Sequence, residues 1–180
     1  MNQYLEKEEN PFFCYWCGGQ VQIPNYALSM ACPHCGREID LQPYEIETPY
    51  FRALSTLGEV TIRGRGVYSG PMLNAGRLVV DGVLDSEFNC RELIIEKFGQ
   101  VLRKGRAGWV HVPAGSKVRL DVPLEVRFAT VSGHFELPSL NALKRVIVMQ
   151  GGMLQTSLSA NSLEIERGAI FEGGIVTNCT

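Results

Sequence analysis

"RVIVMQGGMLQTSLSAN", residues 145–161, runs without a gap into "SLEIERGAIFEGGIVTN", residues 162–178. The two stretches superimpose with no adjustment. Val146 falls on Leu163, Val148 on Ile165, Gly151 on Gly168, Met153 on Ile170, Leu154 on Phe171, Leu158 on Ile175 and Asn161 on Asn178. Self-similarity at a fixed short period marks a chain built by stacking, because one unit of this size cannot bury its own apolar face.

Towards the N-terminus the same apolar–x–apolar opening recurs at "VTI" (Val60), "LVV" (Leu78), "LII" (Leu93), "VHV" (Val110) and "VRF" (Val126), ahead of "VIV" (Val146) and "LEI" (Leu163). The spacings are 18, 15, 17, 16, 20 and 17 residues. Each opening is followed by a glycine: Gly66, Gly82, Gly99, Gly115, Gly133, Gly151 and Gly168. Apolar–x–apolar puts two side chains on one face of a strand, and glycine frees the backbone for the corner that follows. The pattern predicts an all-β protein whose main body is a right-handed parallel β-helix of about seven coils over residues 58–180. A sandwich or barrel would carry turn dipeptides between its strands, and only Asp81–Gly82 offers one. Coils of unequal length argue against the left-handed hexapeptide type, and the glycines and prolines would break most helices.

The N-terminal part has a different composition. Residues 1–50 hold two basic and seven acidic residues, whereas residues 51–180 hold fifteen and twelve. That step places a small domain at 1–40, a linker or N-terminal cap at 41–57, and the β-helix after it. The whole chain of 180 residues is 45% hydrophobic and 20% charged, a globular composition. "MNQYLEKEEN" is polar and acidic and does not read as a signal peptide. A cytoplasmic, reducing compartment is therefore expected, where the six cysteines favour metal over disulfides.

"CYWC" (Cys14, Cys17) and "CPHC" (Cys32, Cys35) are two Cys-x-x-Cys pairs fourteen residues apart. Four thiolates at this spacing predict a zinc ribbon with one structural Zn2+. So short a module has no core of its own, and the metal must hold it together. Its acidity opposes nucleic-acid binding, so its aromatic residues Phe12, Phe13, Tyr15, Trp16 and Tyr26 are expected to serve internal packing or a protein contact. Cys90 and Cys179 read as small apolar residues of the repeat.

No catalytic residues are expected. His34, His111 and His134 do not converge in the repeat, and Asp81, Asp85 and Asp121 scatter over coil positions. No phosphate-binding glycine loop or nucleophile elbow is present, so no nucleotide is implied. Three basic clusters, Arg63–Arg65, Arg103–Arg106 and Lys117–Arg119, suit a solvated face, with an acidic membrane surface as the sharper but unindicated partner. The outward positions Val79, Ile94 and Ile147 are candidates for lateral contact.

The last repeat runs to Asn178, two residues from the end of the sequence, so the final coil is expected to be uncovered. Ile170, Phe171, Ile175 and Val176 are candidates for an exposed apolar end and hence for self-association. With irregular coils and a last unit "IERGAIFEGGI", residues 58–178 resemble the bactofilins, polymer-forming cytoskeletal proteins of bacteria. The resemblance implies a right-handed β-helix that joins end to end without nucleotide and acts as a scaffold, with terminal-coil contacts at the four residues just named. Flexible, proline-rich tails normally flank the family's β-helix; in residues 1–180 a ribbon takes the place of the N-terminal one and no C-terminal one is expected. "VPLEV" and "LPSLNALKR" interrupt the middle coils. The expected function is a scaffold with a partner-recruiting ribbon; the alternatives are a regulatory binding module, whose ribbon contacts protein or nucleic acid while the β-helix only dimerises, and, more weakly, a degenerate β-helix enzyme.

Overall fold

The computed structural model describes residues 11–177; Asn178 and Cys179 lie outside them. Among the described residues there is no helix. Two short antiparallel hairpins come first, β1 (Phe12–Phe13) with β2 (Gln20–Val21) and β3 (Ser29–Ala31) with β4 (Glu38–Asp40). Every strand pair after them is parallel.

That body is a solenoid of three-sided coils. One side stacks β5 (Tyr44–Ile46), β7 (Glu59–Ile62), β9 (Leu73–Val80), β11 (Phe88–Ile95), β13 (Gly105–Val112), β15 (Leu124–Val131), β16 (His134–Val148) and β17 (Met153–Ile165). The second side holds β6 (Pro49–Tyr50), β8 (Val67–Tyr68), β10 (Val83–Leu84) and β12 (Gln100–Val101). Further along, β14 (Lys117–Arg119) pairs with the start of β16, and β18 (Ile170–Glu172) and β19 (Ile175–Thr177) pair with β17 as the last coil. The longer strands bend through two sides of a coil, which gives the third side, at Ala75, Cys90, Ala107, Val126, Ala142 and Ala160.

The register turns the sequence repeat into continuous columns. Tyr44, Val60, Leu78, Leu93, Val110, Ala129, Val146 and Leu163 stand one above another, eight coils deep. The column two residues on, from Ile62 through Val80, Ile95, Val112 and Val131 to Val148, is fully buried. Tyr68, Leu84, Phe135 and Leu154 fill the second side. Each fully buried side chain of this kind stabilises by roughly 1.5–3 kcal/mol before the entropy of ordering it is set against it.

Two boundaries differ from the sequence pattern. The sixth coil enters the column at Ala129, not at Val126, which lies on the preceding side opposite Ala107 and Ala142. The long spacing therefore belongs to the coil carrying "VPLEV", from Val110 to Ala129, and the "LPSLNALKR" coil is of ordinary length. Residues 44–50, read as part of a linker or cap over 41–57, pair in parallel with β7 and β8 and so form a coil of their own.

The corners show why glycine recurs. At the coil turn before β17, Gly151 has φ +78°. A Cβ on the next residue, Gly152, would run into the carbonyl oxygen of Val131 in the coil beneath. One glycine makes the turn and its neighbour lets successive coils touch.

Candidate metal centre and coil-end surface

The ribbon's cysteines sit on two matching turns. Gly18 donates to the Cys14 carbonyl and Gly36 to the Cys32 carbonyl, at 2.8 and 2.9 Å, with both glycines in the left-handed region at φ +71° and +70°. Each turn aims a backbone amide at its first sulfur: Trp16 N–H at Cys14 Sγ and His34 N–H at Cys32 Sγ, both at 3.4 Å. The turns brace each other reciprocally. The Trp16 indole donates to the Glu38 carbonyl at 3.0 Å, and the His34 Nε2 donates to the Gln20 carbonyl at 2.8 Å.

Cys14, Cys17, Cys32 and Cys35 converge, with all four sulfurs within 4.8 Å of one another. Cys14 and Cys35 are 4.0 Å apart, Cys17 and Cys32 3.8 Å. Four sulfurs at about 2.3 Å from a tetrahedral ion would stand about 3.8 Å apart, so the cluster fits a metal ion and is far too open for disulfides. As thiols, Cys32 and Cys17 are shifted in opposite directions. Burial pushes the Cys32 thiol up, but the amides of Cys35 and His34 and then the neighbouring thiols outweigh it and bring it down to about 6. Cys17 goes the other way, to about 11: the Gly19 amide favours its thiolate, and burial with hydrogen bonds to the other three thiols overcomes it. Because metal must displace these protons, affinity falls as pH falls.

Trp16 and His34 are thus structural ties. Tyr15 belongs with them, its hydroxyl oxygen accepting from Asp40 N–H at 2.9 Å, while Tyr26 is fully exposed. The ribbon is joined firmly to the first coil. Cys14, Val21, Cys32, Ile39 and Leu41 bury Leu57 among them, Leu57 N–H donates to the Asp40 carbonyl, and the Thr56 hydroxyl reaches the carbonyls of Asp40 and Gln42. Tyr44 hydroxyl donates to Asp40 Oδ2, which raises its own pKa to about 12.

At the other end, Phe171 lies over Leu154 and Ile175 over Leu158, both partners buried, so these two side chains continue core columns. Ile170 and Val176 lie over Met153 and Ser159 and stand in outward columns. Leu163 and Ile165 also cap core columns, over Val146 and Val148, and were missed because they lie before the last glycine corner. Among the described residues no strand pairs with the outer edge of β18 or β19. Ile165 and Ile175 are 47% and 50% exposed, whereas Ile46 and Leu54 in the first coil are 4% and 5% exposed. The two ends of the stack are unlike.

The basic clusters are largely spoken for by neighbouring coils. Arg63 pairs with Glu45, Arg103 with Asp85, Arg106 with Glu125, Arg119 with Glu136 and Lys104 with Glu87. Ile94 and Ile147, expected to offer lateral contact, are buried within their outward column, because stacked coils cover each side chain's flanks; Val79 is half-buried. The histidines stay apart: His34 is in the ribbon, His111 in β13 and His134 at the start of β16. Cys90 is buried, which pushes its thiol well up. Compared with protein-family models, curated proteins and solved structures, the chain matches none.

Proposed function

We propose that the chain is a structural, self-associating scaffold of the bactofilin type. Coil ends meet end to end without nucleotide, and Zn2+ on Cys14, Cys17, Cys32 and Cys35 keeps a partner-recruiting ribbon folded on the first coil. The observation that carries this reading is the last layer of core. Leu163, Ile165, Phe171 and Ile175 continue buried columns yet meet no further coil among the described residues. An open apolar cross-section beside an unpaired strand edge is what a second copy would cover.

The contrast between the ends favours a second form of the same reading, a closed pair joined through the last coils. Ile46, Leu54 and Leu57 are already buried at the ribbon end, so among the described residues the last coil is the more exposed of the two ends. Sedimentation velocity with negative-stain imaging, at low and high salt and without nucleotide, tests both. Long filaments support polymerisation, and a single dimeric species supports the closed pair. A monomer at every concentration would remove the scaffold reading. Phe171→Arg should abolish association while leaving the strand signal of the fold unchanged, since it sets a charge in a contact that must be dry. Association that survives this change would remove the last coil from the interface.

A further inference from the structure

A groove of about 610 Å3 lies between the ribbon and a corner of the solenoid. The ribbon contributes Phe12 and Phe13 on one wall, and the solenoid contributes Arg91, Arg106, Arg127 and Leu143 from successive coils on the other. Its floor is made of small residues, Ala75, Ala107 and Gly108. The Arg91 guanidinium lies over the Phe12 ring at 4.3 Å and so fixes one wall against the other. Glu125 is the one acidic residue among those lining the groove, against three arginines.

We propose that this groove receives an acidic, extended peptide segment of a partner protein, its carboxylates on Arg106 and Arg127 and an apolar side chain between Phe13 and Leu143. Charge complementarity carries the choice. The Arg106–Glu125 pair, at 2.7 Å, is exposed on both sides, so exchanging Glu125 for a ligand carboxylate costs little. Arg127 stacks on Phe128 at 5.8 Å and has no carboxylate within ion-pair distance among the described residues. Guanidinium groups bind carboxylates in bidentate fashion, and the apolar rim gives the peptide something beyond charge to bury: Phe13 is 48% and Leu143 60% exposed. Nucleic-acid binding draws on many phosphate contacts, and three arginines beside one glutamate make a short positive patch, enough for one or two carboxylates. The proposal deepens the partner-recruiting part of the function above and stands apart from self-association.

The test uses the full-length, metal-loaded protein and a fluorescein-labelled decapeptide alternating glutamate with phenylalanine and serine, read by fluorescence anisotropy. Saturable binding is expected, weakened about tenfold by Arg127→Glu and similarly by Arg106→Glu, as for the loss of one charge-assisted hydrogen-bonded contact. A glutamine-for-glutamate version of the peptide should bind much more weakly, and 0.5 M salt should weaken the acidic one, as roughly expected from screening. Arg127→Gln guards against misfolding and should give the same direction of change with metal content and strand signal intact. Absence of binding, or equal binding by the Arg106→Glu/Arg127→Glu double variant, would overturn it. So would loss of peptide binding in Phe171→Arg, which would move the peptide to the coil end, or loss of self-association in Arg127→Glu, which would make the groove a contact between copies.

Discussion

His111 stands in an outward column between Ile94 below and Thr130 above, with the Trp109 ring 5.8 Å away and the Trp109 indole donating to the Thr130 hydroxyl at 3.1 Å. Its Nδ1 is buried without a hydrogen-bond partner. Desolvation lowers its pKa, against Glu92 and the Thr130 backbone, which act to raise it. The folded protein therefore holds a neutral imidazole where the unfolded chain titrates near its ordinary value of about 6.5. The unfolded state binds the proton first, so stability falls as pH drops below about 6.5. Urea unfolding at pH 7.5 and 5.5 should show this loss in the natural protein and a smaller one in His111→Val. At pH 7.5 the variant should be equal to it or more stable by about 1 kcal/mol, since the orphaned nitrogen is gone. The middle residue of "VHV" was legible as outward. That outward here means covered was not, because Ile94, His111 and Ile147 are shielded by neighbours fifteen to twenty residues away, and a local apolar pattern carries no trace of inter-coil contact.

The ribbon was the most legible element, since the Cys-x-x-Cys spacing itself dictates the turns that bring four sulfurs together. Its attachment was less so. "YEI" at Tyr44–Ile46 repeats the apolar–x–apolar opening, but the prolines at 43 and 49 disguise it as a connector, and only the pairing with β7 identifies a coil. Ala129 hid the sixth coil in the same way, being too small to register as apolar against Val126. Because Leu57 is buried by ribbon residues, the two parts are coupled. Removing the metal with a strong chelator, or Cys17→Ser, should unfold the ribbon, which depends on a binding free energy on the order of 10 kcal/mol. The solenoid should keep its strand signal but melt a few degrees lower, as expected for about 1 kcal/mol lost from the first coil. A solenoid melting point that does not move would mean the Leu57 contact is energetically idle. The corner glycines separate by the same kind of measurement. Gly151→Ala should cost about 1–2 kcal/mol for its left-handed backbone, and Gly152→Ala clearly more, since the Val131 carbonyl must move.

Stacked coils contact only their neighbours, so order can be lost from an end without loss of the middle. Between coils run ion pairs such as Arg77 with Glu59 below and Glu92 above, at 3.5 and 3.7 Å. Most such pairs are exposed, although Glu92 is largely covered, and exposed pairs contribute only about 0–1 kcal/mol each, so the columns of buried side chains hold the stack. The ends then differ in stability as well as in surface. Tyr44–Ile46 is held by the second coil on one side and its loop by the ribbon, whereas Ile170–Glu172 and Ile175–Thr177 are held by β17 alone among the described residues. Hydrogen exchange on dilute protein should find the amides of Ile170–Val176 the least protected strands of the solenoid. On the proposed self-association, raising the concentration should protect them by adding a partner on their open side. What happens at Tyr44–Ile46 decides the form of assembly. Protection unchanged there means that copies join through their last coils and stop at two. Protection gained there as well means that the ribbon end also receives a copy, and that the stack continues as a filament.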